Sequence, residues 1–371
     1  MNKKDKIKQF LIILCSLLAG FAIGFLLSNR MLAMGEAGLS FGTVMLLPLL
    51  GIFLSFVFQL IIHEAGHLFG GLLTGYHFNS FRIGSFMLLK KDKKLHLRKL
   101  SLAGTGGQCL MGPPDKTDEN TPYALYLLGG VLFNLITSIL SGVIAFFTPD
   151  TSILSYLCMV FSVTGIAFAV TNGIPLRLTL VHNDGYDVFS LRKNPEALRY
   201  FFVQLKIGEQ MALGTRLQNM PEEWFFIPSD AMLKNSLIAT IRVFNCNRLL
   251  DQKQFEVADM EIERLFQMDA NIVGVHRKLL INDQIYCELI GQNRPARLVK
   301  LFTRDQKKFL KRMKNSPSVL RTHYVYALVG NNNTKKAKQI KRRFEKTAKS
   351  YPYPSEIIAE RELMEYAVQH L

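Results

Sequence analysis

The sequence predicts an α-helical membrane protein, with a four-span transmembrane bundle carrying a cytoplasmic β-hairpin, followed by a cytoplasmic all-α domain of helical hairpins. Three observations predict it. The 371 residues are 49% hydrophobic although they hold 45 Lys and Arg against 29 Asp and Glu. Long uncharged apolar runs fill the first half, near residues 10–27, 44–62, 123–147 and 154–176, each long enough to cross about 30 Å of hydrocarbon as a helix. From about Leu191 the apolar runs shorten and charges spread, so that residues 188–371, with 31 Lys and Arg against 19 Asp and Glu, carry +12 of the formal +16.

The elements follow in chain order. Residues 1–42 form an N-terminal membrane anchor and an external loop. MNKKDKIK resembles the basic start of a signal peptide, but its apolar run is longer than a usual signal core and no small-x-small cleavage site follows, so the anchor is expected to be retained. Lys3, Lys4, Lys6 and Lys8, and the loop KKDKKLHLRK at 90–99, face the cytoplasm by the positive-inside rule; the loops 30–41 and 148–153 hold one arginine between them. The expected topology is therefore multi-pass with both termini cytoplasmic, in a cell membrane of bacterial type. On either side of KKDKK, residues 78–89 and 94–101 alternate partly with period two and read as a β-hairpin. Its lysines suit anionic lipid headgroups.

Past residue 190, Phe255, Ala258, Ile262, Leu265 and Phe266 mark one amphipathic helix, and Val275, Leu279, Tyr286 and Leu289 another. Residues 291–295 and Asn331-Asn332-Asn333 punctuate the pattern, as expected of antiparallel helical hairpins that resemble an α-solenoid only loosely. Two basic runs, RDQKKFLKRMK (304–314) and KKAKQIKRRFEK (335–346), suit an anionic surface; as lysine-rich helical faces they do not by themselves indicate nucleic acid, and none is expected as a partner. The five cysteines are scattered without a CxxC pair, which implies no disulfide framework.

The chemistry is concentrated in FQLIIHEAGHLFGGLLTG, residues 58–75. Two histidines and a glutamate in an apolar run are costly to bury, and ionisable residues in a span ordinarily serve a function. His63 and His67 stand at i and i+4, on one helix face a turn apart, the spacing that grips one tetrahedral ion. Glu64 flanks that ion. HEAGH fits the His-Glu-x-x-His signature, in which the glutamate is general base to a zinc-bound water. Catalytic zinc needs a third protein ligand. Leu73 stands where a metzincin would have its third histidine, and the next glutamate, Glu119, lies in a polar loop.

A better third ligand follows the fourth apolar run, in TNGIPLRLTLVHNDGYD (171–187). Pro175 should break the helix there. Asp184, followed by Gly185 where the chain can turn tightly, would supply an anionic oxygen and leave the site at net +1. His182 and Asp187 bracket it, and His77 and His96 lie in the loop after the second span, so these remain alternatives; His182 reads as a solvent-facing loop residue.

Taken together, HEAGH, Asn172-x-x-Pro175 and Asn183-Asp184-Gly185, in that order on separate predicted segments, resemble the site-2 protease family of intramembrane zinc metalloproteases. The resemblance covers roughly residues 43–190 and implies the third ligand Asp184, catalytic Glu64, and substrate contacts at Asn134, Asn172, Pro175 and Asn183. A further motif of the family, Gly-Pro-x-x-Asn, has a partial counterpart in GGVLFN (129–134), with glycine for proline. It also implies that the hairpin pairs with substrate by strand addition. Many members of the family gate substrates with PDZ domains, and no PDZ-like alternation is visible here.

The organisation expected is thus an anchor (1–42), a zinc protease core (43–190) and a cytoplasmic helical domain (191–371). The expected activity is hydrolysis of a peptide bond in or near the membrane-spanning segment of a membrane protein or of a signal-peptide-derived substrate. The competing function is a catalytically idle scaffold whose helical domain binds a cytoplasmic protein. Metal transport is disfavoured, because one convergent ligand set is not a relay of sites.

Overall fold

A computed structural model describes residues 24, 25, 27–176 and 180–370. The first predicted span, 10–27, lies almost wholly outside them. The other three predicted runs are helices: α1 (Phe41–Leu73), α2 (Ala124–Phe147) and α3 (Ile153–Gly173). Among the described residues these three are long and apolar enough to cross a membrane. At 33 residues α1 is about 50 Å long, more than a hydrocarbon core requires. It runs through HEAGH as one helix, as the i, i+4 spacing of His63 and His67 predicts. Leu46, Leu49 and Phe53 are each more than 60% exposed, the surface a lipid-facing helix presents.

The described chain divides into two compact units, one of residues up to Gly66 with Gly129–Gly173, the other of His67–Leu128 with residues from Ile174 on. Two of the three chain boundaries fall inside continuous helices, α1 and α2, and the third falls at the end of α3. The first unit is held by small and hydroxyl residues, as expected where helices gain nothing from expelling water. Gly66 meets the carbonyl of Gly129, and Gly142 lies against Ser162. Ser138 Oγ donates to Asn134 O (2.6 Å) and Ser141 Oγ to Cys158 O (2.9 Å).

The second unit opens with a four-stranded antiparallel sheet in the order β3-β2-β1-β4, comprising β1 (His77–Ile83), β2 (Phe86–Lys91), β3 (Lys94–Lys99) and β4 (Gly107–Gly112). The hairpin around KKDKK is β2–β3, closed by Asp92 and Lys93 with positive φ (51° and 59°) between the paired Lys91 and Lys94. That is the two-residue turn whose twist matches the strands. The arm read as one strand over 78–89 is instead two, β1 and β2, reversed at Gly84, whose φ of +58° a side-chain-bearing residue rarely adopts. Met87 and Leu89 are buried, while Phe86, Leu88, Leu95 and Leu97 are exposed.

From Asp184 on the described chain is mainly helical, with α4 (Asp184–Lys193), α5 (Glu196–Leu213), α6 (Ser236–Asp251), α7 (Phe255–Gln267), α8 (Gly274–Ile290), α9 (Pro295–Leu301), α10 (Arg304–Arg312), α11 (Pro317–Val325), α12 (Thr334–Ala348) and α13 (Pro354–Gln369). The two amphipathic patterns are α7 and α8. Phe255, Ala258, Ile262 and Leu265 are buried on α7, and Tyr286 and Leu289 on α8. Pro295 opens α9, where its missing N–H costs nothing. Asn333 caps α12 by accepting from Lys336 N. Inside the domain Arg321, 1% exposed, meets Asp283 (2.6 Å) and Glu360 (3.0 Å) and lies over the Tyr286 ring.

Candidate metal centre

His63, Glu64 and His67 are all buried on α1, at 6, 6 and 7% exposure. In the first unit, His63 Nδ1 lies 2.7 Å from Asn134 Oδ1. The orientation of that amide is fixed, because Asn134 Nδ2 donates to Gln59 O (2.9 Å) and to Gln59 Oε1 (2.7 Å), both acceptors only. Gln59 is fixed in turn, since its Nε2 donates to Phe161 O on α3 (3.2 Å). The chain of bonds therefore runs one way. His63 Nδ1 must be the donor to Asn134, and the lone pair of the ring sits on Nε2.

His67 is held by the same chemistry in the second unit. Its Nδ1 lies 2.8 Å from the Tyr126 carbonyl oxygen, which can only accept, so Nδ1 carries a hydrogen and in the neutral ring the lone pair is on Nε2. That Nε2 stands 3.4 Å from Asp184 Oδ2. A nitrogen lone pair facing a carboxylate oxygen is repulsive unless a cation or proton lies between. Two ligands about 2.0–2.2 Å from one tetrahedral ion are roughly 3.3–3.6 Å apart, and the observed separation falls in that interval. Orienting partners of this kind, a side-chain oxygen on one histidine and a backbone carbonyl on the other, fix the tautomer of metal-binding histidines.

Asp184 is placed by a helix cap. Asn183 Oδ1 accepts from Tyr186 N and from Leu176 N (both 3.0 Å), while its Nδ2 donates to Ile174 O (2.6 Å). One side chain thus ties the end of the broken span to the first turn of α4. The tight turn expected at Asp184-Gly185 is replaced by this cap, and both residues lie within α4. Asp187 is pushed up to about 7 by burial and then by the Asp184 carboxylate, so it holds its proton more readily than an ordinary carboxyl. His63 and His67 share one helix, and His67 and Asp184 share one unit. Among the described residues, His63, His67 and Asp184 form a group able to hold a metal ion, with ligand atoms within 4.8 Å of one another. The donor set, two neutral imidazoles and a carboxylate, fits zinc.

Asn134 is fully buried and oriented toward His63. Counted back from Asn134, the five-residue family motif falls on residues 130–134, so Val131, not Gly130, stands in the proline place. Asn172 Nδ2 donates to Phe168 O one turn back (3.0 Å), and Pro175 is exposed just beyond the end of α3 at Gly173. His77 opens β1 beside Asp115 (3.2 Å), and His96 lies in β3. His182 is not solvent-facing. Its side chain is 9% exposed and its Nδ1 lies 3.2 Å from Ser236 Oγ, because α6 packs over it.

Sequence reasoning missed Gln59 and the Tyr126 carbonyl. Gln59 carried a readable signal, as a polar residue four before His63 in an apolar run; a backbone carbonyl carries none.

No curated protein and no solved structure matches the chain significantly. The profile of Peptidase family M50 matches residues 51–351, which include α1 from residue 51 on, the sheet, α2, α3, the Asp184 cap and most of the helical domain. The chain therefore belongs to Peptidase family M50, the site-2 protease family of membrane metallopeptidases.

Proposed function

We propose that the protein is an intramembrane zinc metalloprotease that hydrolyses a peptide bond in or near the transmembrane segment of a membrane protein or signal-peptide-derived substrate. The observation that carries this reading is the group His63, His67 and Asp184, whose ligand atoms lie within 4.8 Å of one another, with the Nδ1 of each histidine held by Asn134 or by the Tyr126 carbonyl.

His63, His67 and Asp184 would hold the ion, which when bound supplies a Lewis acid for the scissile carbonyl and for water. Glu64, buried beside His63, takes the proton from the attacking water on its carboxylate and delivers it to the departing amine nitrogen. The hydroxyl joins the carbonyl carbon as the C–N bond breaks, so protons balance. Asn134 and Gln59 act as positioning residues through His63, and Asn183 positions Asp184. Asn172 and Pro175 lie where α3 ends, and irregular backbone there suits an unwound substrate segment. Strand β3, an edge of the sheet, suits pairing with that segment. Both termini are cytoplasmic in this reading, the hairpin lysines meet anionic headgroups, and the helical domain from 191 on takes a cytoplasmic protein partner.

The test is cleavage of a membrane-embedded reporter by purified protein and by Glu64→Gln. The reading requires chelator-sensitive cleavage by wild type and its loss in the variant. Cleavage that persists in Glu64→Gln would leave the glutamate without its assigned role.

A further inference from the structure

The two basic runs of the C-terminal half are far apart in sequence, yet in the second unit they line one groove. Its volume is about 770 Å³. Lys307 and Lys311 come from α10, Lys314 from the turn after it, and Lys336 and Arg343 from α12. These five cations surround the groove, and no Asp or Glu is among its lining residues. The floor is apolar. Leu298 and Val299 of α9 lie beside a Phe302–Tyr326 ring pair (centroids 5.0 Å apart), with Ile340 of α12 opposite.

Two features mark this as a built surface. The first is the five-residue π-helical segment Tyr326–Gly330, which lines the groove. Such segments are rare and recur at functional sites. Any side chain at position 330 would strike the Tyr326 ring, 2.7 Å from a built Cβ, so Gly330 lets that ring lie in the floor. The second is the field. His323, also lining the groove, is held below its usual value by burial and then by Lys336 and Arg343. The neighbouring cations thus disfavour a further positive charge there. Val299, a lining residue 75% exposed, adds accessible apolar surface to the groove.

We infer that this groove docks an acidic amphipathic peptide segment, whose apolar side chains enter the Phe302–Tyr326 floor while its carboxylates meet Lys307, Lys311, Lys314, Lys336 and Arg343. Charge complementarity selects an acidic partner. The concave apolar floor between helices selects a peptide over a flat anionic bilayer, because helical hairpins bind segments in such grooves and a headgroup layer has no side chains to insert. This inference stands independently of the proposed proteolysis.

The experiment is fluorescence anisotropy on the full chain in neutral detergent. The probe is a short fluorescein-labelled peptide with Leu and Phe on one helical face and Glu flanking it. Lys311→Glu/Lys314→Glu should weaken binding about tenfold. Val299→Asn, which removes apolar surface without changing charge at an exposed position, should weaken it about threefold. Both substitutions are at exposed positions, and thermal unfolding verifies the fold of each. Equal binding of a peptide with the same glutamates but no Leu or Phe would overturn the inference in favour of diffuse charge attraction. Displacement of the probe by micelles doped with an anionic phospholipid, but not by undoped ones, would overturn it in favour of a lipid site.

Discussion

Gly66→Ala is the sharpest test of how the helices set the metal centre. Gly66 sits between Glu64 and His67 on α1, and a Cβ there would strike the Gly129 carbonyl and lie 2.8 Å from Gly130 Cα. These are backbone atoms, so no rotamer change relieves the contact. The Gly129 carbonyl carbon is closer still, at 2.6 Å, so restoring a carbon–carbon distance of about 3.5 Å requires α1 and α2 to part locally by roughly 0.9 Å. Asn134 lies one turn beyond Gly130 on α2, and its 2.7 Å contact with His63 Nδ1 would open to about 3.6 Å, past a good hydrogen bond. Overpacking of this kind costs about 1–3 kcal/mol. Loss of the orienting bond costs about 10–100-fold in metal affinity. The assay is zinc retention against a graded chelator, alongside thermal unfolding in the same detergent. A Gly66→Ala protein that unfolds at the wild-type temperature and keeps wild-type zinc affinity would refute the reasoning.

Other perturbations separate the parts of the account. Gln59→Leu keeps the helix apolar but removes the groups that orient Asn134, so zinc affinity should fall about 10–100-fold while α1 stays helical by circular dichroism. Arg321→Ala leaves Asp283 and Glu360 buried without their shared cation and should destabilise the helical domain by about 3–5 kcal/mol in denaturant unfolding, with zinc content of the folded protein unchanged. Burial pushes the Glu356 carboxyl up to about 7 from 4.5. A raised acid favours the folded state fully below about 4.5, and that contribution is lost as pH rises from there through 7. The unfolding temperature of Glu356→Gln relative to wild type should therefore climb between pH 5 and pH 8, and a pH-independent difference would contradict it.

What the sequence reveals, and what it hides, follows from distance along the chain. HEAGH is local. Its three functional residues lie within two turns of one helix, so periodicity alone displays them on one face. Asp184 is not local, and it became nameable because Pro175 and Asn183-Asp184-Gly185 form a resemblance, while its cap geometry depends on bonds back to Ile174 and Leu176. Asn134 was visible as a residue, but its tie to His63 spans 71 positions, and no sequence pattern encodes that pairing. The β2–β3 turn was visible in KKDKK; β4 was not, because GQCLMG is short, lacks alternation and pairs with a strand some thirty residues earlier. In the helical domain, Pro295 and Asn333 mark helix starts that the structure uses. The meeting of the two basic runs in one groove is tertiary, so only the structure displays it.

The claim at the centre of the account is that His63, His67 and Asp184 hold one catalytic zinc. Zinc content per chain, measured by mass spectrometry on detergent-purified protein, tests it most directly across wild type, His63→Ala, Asp184→Asn and Glu64→Gln, with folding verified in each. The account predicts one zinc per folded wild-type chain, loss in His63→Ala and Asp184→Asn, and full retention in Glu64→Gln. Folded wild type without zinc under zinc-replete conditions, or Asp184→Asn that keeps its zinc, would contradict it.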